Sequence, residues 1–90
     1  MSDISNELLH AIELAESGDW ETAHRLAQEH EGEAMADWIH ALLHKIEGDS
    51  SNSRYWYDRA GKPEWFSRKP ETEWSEIRKC LVEDCGGHCE

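Results

Sequence analysis

The 90-residue chain repeats itself at an offset of 30 residues: laying Leu8 to Ala27 over Trp38 to Tyr57 pairs His10-Ala11-Ile12 with His40-Ala41-Leu42, and Gly18-Asp19 with Gly48-Asp49. Both copies read as helix, Gly-Asp turn, helix. A period of this length marks a helical hairpin that cannot bury its apolar face alone and must stack on a neighbour. The repeat constrains architecture far more than activity, because no catalytic signature accompanies it.

The periodicity predicts a first helix from about Asn6 to Ser17, with Ser5 as N-cap and Leu8, Ala11, Ile12 and Ala15 on one face. Gly18 ends it, since glycine alone takes the left-handed conformation after a helix without steric cost, and Asp19 can then accept the free amides of the next helix. Helix two covers about Trp20 to Glu29, with Ala23, Leu26 and Ala27 on its inner face beside Trp20. Helix three, from Glu33 to Glu47, carries Met35, Trp38, Ile39, Leu42, Leu43 and Ile46 in one broad apolar sector. Gly48-Asp49 repeats the turn, and helix four runs from Ser51 to Ala60 until Gly61 and Pro63 stop it. Trp65 and Phe66 are expected in a short turn packed back on the hairpins, and Pro70 opens a fifth helix striped by Trp74, Ile77 and Leu81. Two hairpins are fewer than such stacks usually need. The expected fold is therefore all-α, two stacked helix-turn-helix hairpins plus a C-terminal capping helix, with a homodimer as the alternative way to cover the open end. Residues 1–84 form one domain in this reading, and 85–90 a mobile tail.

Twenty acidic against nine basic side chains give a net charge of −11, which repels phosphate backbones and anionic lipid at long range. Nucleic acid and membranes are thereby disfavoured as partners, although the same acidity also serves plain solubility. No apolar run approaches the roughly 20 residues of a membrane span, and Met1-Ser2-Asp3-Ile4 lacks the pattern of a signal peptide. A cytoplasmic protein is expected. Its three Cys, at 80, 85 and 89, are then expected to stay reduced.

The segment Gly48-Asp49, Asn52, Tyr55-Trp56-Tyr57, Arg59-Ala60-Gly61 and Pro63 resembles the second helix of a tetratricopeptide or Sel1-like repeat, and Gly18-Asp19-Trp20 with Ala23 and Ala27 matches it more faintly. The resemblance covers about Leu8 to Pro63. The 30-residue period is shorter than the tetratricopeptide's 34, and the helix-A Leu-Gly pair of that family is absent. The stretch Trp38 to Gly61 is also similar to a group of small, uncharacterised bacterial proteins, a resemblance that implies the helical fold and no activity.

On helix three, Asp37, His40, His44 and Glu47 fall at i, i+3, i+7 and i+10, a polar stripe expected nearly opposite the apolar sector. His40 and His44 could face one metal ion, with Asp37 or Glu47 as an oxygen ligand. The repeat adds His10, which occupies the position of His40. Against metal stands a solvated stripe, or histidines hydrogen-bonded to Tyr55, Tyr57 or Asn52; the Glu of a His-Glu-x-x-His motif is missing. Cys80, Cys85, His88 and Cys89 are four further candidate ligands, but Cys-x4-Cys-x3-Cys matches no common zinc spacing. Tyr55-Trp56-Tyr57 with Arg59 can supply an aromatic and cationic patch, although such a run is more often core; Trp56 or Tyr57 is expected inside and Tyr55 nearer the surface. No nucleophile elbow or phosphate-binding glycine loop is present.

These features predict a non-enzymatic interaction module without a cofactor. It would present Asp37, His40, His44, Glu47, Asn52, Tyr55 and Arg59 to a protein or peptide with basic groups, as a monomer or homodimer. The alternative is a metal-binding protein using His40 and His44, or the thiols of Cys80, Cys85 and Cys89.

Overall fold

A computed structural model describes residues 3–83. Its elements are α1 (Asp3–Glu16), α2 (Trp20–Glu29), α3 (Ala34–Glu47), α4 (Ser50–Ala60), a 3-10 turn (Pro63–Ser67) and α5 (Pro70–Glu83). α1 starts before the predicted Asn6, so Ser5 lies within the helix instead of capping it; serine costs little in a first turn. The predicted tail at 85–90 lies outside the described residues. No helix among those described is long and apolar enough to cross a membrane.

The repeat is visible in the backbone. Asp19 N donates to Leu14 O at 2.8 Å, and thirty residues on Asp49 N donates to His44 O at 2.9 Å. Both closures need the preceding glycine in the left-handed region, with φ of 100° at Gly18 and 89° at Gly48. The two aspartates then diverge. Asp19 Oδ1 accepts from Thr22 N as a helix cap, whereas Asp49 makes no such bond and its Oδ2 accepts from the Asn52 side chain at 2.7 Å. α1 pairs with α2 and α3 with α4, and α2 packs on α3, joining the two hairpins. Ala23 and Ala27 are fully buried on α2, small enough to let helix backbones approach closely.

α5 lies across α1 and α3, the first helices of both hairpins, with Ile77, Cys80 and Leu81 buried. α3 is thus covered on almost every side, and its residues from Ala36 to Leu43 are all buried. This overturns the expectation that the whole polar stripe faces solvent: Asp37 is buried against the α2–α3 loop and His40 between His24 of α2 and Trp56 of α4, His44 is half-buried, and Glu47 alone is exposed.

A buried carboxylate holds α5 in place. Glu73 is 0 % exposed, and its oxygens accept from Trp38 Nε1 at 2.8 Å, Lys45 Nζ at 2.7 Å and the Tyr57 hydroxyl. Burial pushes the Glu73 carboxyl up, while Lys45, Tyr57 and Trp38 pull in the opposite direction. Burial and the adjacent carboxylate raise Tyr57 so that it remains a protonated donor. Lys45 Nζ also donates to the carbonyls of Trp65 and Arg68, at 2.9 and 2.7 Å. One ammonium and one carboxylate therefore fasten α3, α4, the 3-10 turn and α5 together.

Removing one partner of a buried, hydrogen-bonded ion pair leaves the other uncompensated, at a cost of about 3–5 kcal/mol. Glu73→Ala should lose that much in urea unfolding followed by circular dichroism; a loss below about 1 kcal/mol would show that apolar packing alone docks α5.

Candidate metal centre

α3 advances about 100° per residue, so Trp38 and Lys45 lie on one side and His40 and His44 on roughly the opposite side. The clamp to α5 on the first side turns the histidines toward α2. There His24, one position beyond inward-facing Ala23, meets them.

His24, His40 and His44 each place one ring nitrogen within 4.8 Å of the other two. His24 Nε2 and His40 Nε2 are 2.8 Å apart, a distance that needs one ring to donate and the other to accept. The His24 ring meets His40 edge-on at 4.5 Å between centroids and His44 at 5.1 Å, while His40 and His44 stack at 4.9 Å. Trp56 of α4 stacks on His40 at 4.1 Å and closes that side. His40 is buried, and His24 and His44 are half-buried. The Nδ1 atoms of His40 and His44 are buried without a hydrogen bond.

The His24–His40 contact and the burial around it suit neutral imidazole in these two rings. Burial first, then the neighbouring His24 and His44, lowers the His40 pKa to about 4. Burial and His44 likewise lower His24, with Glu47 opposing. A neutral ring is the form that offers a lone pair to a metal. The carboxylates of Asp49 and Glu47 lie 3.5 and 4.0 Å from His44 Nδ1. A proton on Nδ1 facing Asp49 would leave Nε2 with the lone pair, the arrangement by which a carboxylate orients a ligating histidine.

The other candidate residues sort around this centre. Asp37 is buried and committed, its Oδ1 accepting from Gly32 N at 3.2 Å in the α2–α3 loop. Glu47, Asn52, Tyr55 and Arg59 are exposed. Asn52 holds Asp49, and Arg59 donates to the Tyr55 hydroxyl at 3.2 Å and lies over the Trp56 ring at 5.0 Å. Tyr57 is buried and Tyr55 is 52 % exposed, in the order expected. The alternative in which the histidines hydrogen-bond Tyr55, Tyr57 or Asn52 is not what forms: those groups pair with Arg59, Glu73 and Asp49. His10 is exposed on α1 and stands apart from the three. Cys80 is disulfide-bonded instead of reduced, so it has no thiolate for a metal; Cys85, His88 and Cys89 lie outside the described residues.

Two other features are separate from the histidines. Glu7, Glu29 and His30 converge at the surface, where His30 Nε2 and Glu7 Oε1 already pair at 2.5 Å. An open groove of about 450 Å³ between α4 and the 3-10 turn is lined by Arg54, Tyr57, Asp58, Pro63, Phe66 and Ser67.

Comparison with protein-family models, curated proteins and solved structures finds no match for this chain.

In the metal-free protein, the unfolded chain binds a proton at His40 near the ordinary 6.5, whereas the folded chain refuses it until about 4. Stability is therefore fully present above about pH 6.5 and falls as the pH drops toward 4, by on the order of 3 kcal/mol. Urea midpoints across this window measure the slope, and His40→Phe, which keeps a ring against Trp56, should flatten it. Equal slopes in the two proteins would contradict the assignment to His40.

Proposed function

We propose that this protein is a metal-binding helical domain that takes one transition-metal ion of the zinc or copper class through His24, His40 and His44. The observation that carries this reading is the convergence of three ring nitrogens from two helices within 4.8 Å, two of them 2.8 Å apart. An all-imidazole set suits zinc, copper and nickel and is a poor host for magnesium or calcium. Zinc–nitrogen bonds of about 2.0–2.1 Å at a tetrahedral angle put two nitrogens about 3.3 Å apart. His24 and His40 would separate by about half an ångström and the widest pair of the group would close by up to about 1.5 Å, adjustments that fall to the half-buried side chains of His24 and His44.

In this reading the two hairpins are tetratricopeptide- or Sel1-like units, and the ion cross-braces the second helix of one to the first helix of the next. The protein binds and does not catalyse. A surface for a peptide remains in exposed Glu47, Asn52, Tyr55 and Arg59, but buried Asp37 and His40 are out of a partner's reach. That loss places the metal reading ahead of the peptide reading.

Zinc titration of untagged protein against a chromophoric chelator should give one ion per chain. His24→Gln and His44→Gln, at half-buried positions, should each weaken binding at least about tenfold, while His10→Gln should not. At 100 times the dissociation constant the ion adds about 2.7 kcal/mol, which in a domain of this size raises Tm by roughly 10 °C or more. Substoichiometric zinc, or affinity unchanged by both α2 and α3 substitutions, would overturn the proposal.

A further inference from the structure

We infer that the metal bound by His24, His40 and His44 keeps one exchangeable coordination position, which takes a small anion from solution. The inference rests on the metal reading above and concerns what the site does once loaded.

Three protein donors leave a tetrahedral ion one ligand short, as in sites that hold a water or substrate in the fourth position. Among the described residues the convergent group contains the three histidines and no fourth donor. The carboxylates nearest to it lie outside that group. Asp49 and Glu47 approach the Nδ1 edge of His44, and Asp49 is further held by Asn52 at 2.7 Å. Asp37, expected from the sequence as an oxygen ligand, gives its Oδ1 to Gly32 N. Cys80, the cysteine nearest along the chain, is disulfide-bonded and outside the group.

Access and charge point the same way. Trp56 seals the face of buried His40, whereas His24 and His44 remain partly exposed, so solvent reaches the cluster from their side. Three neutral imidazoles leave the whole double charge of a divalent ion uncancelled by its ligands. An incoming anion reduces that charge in a half-desolvated setting, where electrostatic attraction exceeds its value in water. Azide, cyanide-like and carboxylate ligands belong to this class, as does hydroxide from bound water.

Cobalt(II) chloride added to the full chain, followed by sodium azide, tests the point by visible absorption. Binding of one cobalt per chain with the spectrum of a four-coordinate ion, followed by a saturable shift of those bands on azide addition, is the expected result. One bound cobalt whose bands do not move with azide would overturn the exchangeable position while leaving the three-histidine site standing. A sulfur-to-cobalt charge-transfer band would do the same, because a cysteine would then fill the fourth position. Absence of cobalt binding, or a cobalt spectrum unchanged in His24→Gln, would instead remove the site itself.

Discussion

Taking a carboxylate out of water costs several kcal/mol unless its oxygens are met by well-placed donors, and Glu73 is met by three. The consequence reaches well beyond one ion pair. Trp38 and Lys45 come from α3, Tyr57 from α4, and the same Lys45 ammonium binds the Trp65 and Arg68 carbonyls that bracket the end of the 3-10 turn. Lys45 and Glu73 are both largely buried, so the geometry is held away from competing water. A small domain with limited apolar area gains from such a clamp a single arrangement of its last third against its first two-thirds.

Fixing one side of α3 determines what its other side can do. His40 and His44 are turned toward α2, where the small side chains of Ala23 and Ala27 let the helix approach closely enough for His24 to reach them. Trp56 then closes over His40 from α4. The second Gly-Asp turn contributes as well: Gly48 keeps the backbone of the first copy, but Asp49 is released from capping and lies 3.5 Å from His44. The repeat therefore supplied two equivalent turns, one kept for helix capping and one turned toward the histidine cluster.

Much of the fold was legible from residues. Gly18-Asp19 and Gly48-Asp49 announced their turns because left-handed glycine followed by a capping residue is a local signal. Pro70 opened α5 where its missing amide costs nothing. The polar stripe was misplaced for a different reason. Helical spacing shows that Asp37, His40, His44 and Glu47 share a face, but says nothing of what covers that face, and the α2–α3 loop, His24 of α2 and Trp56 of α4 cover all of it but Glu47. His24 was missed on the same ground. The internal repeat pairs His10 with His40 as equivalents, whereas packing brings together α2 and α3, which are not equivalent in the repeat. Asking which residue flanks Ala23 and Ala27 on the side of the next hairpin is the reasoning that would have found it. The Glu73 clamp had no sequence signal, since Glu73 reads as one more acid in the first turn of α5.

Imidazole nitrogen NMR reads directly whether His24, His40 and His44 act together on one ion, as proposed. With one equivalent of zinc, the ring resonances of these three among the chain's six histidines should move together to metal-bound positions, with His44 protonated at Nδ1. A shift confined to other histidines, or spread evenly over all six, would contradict the account.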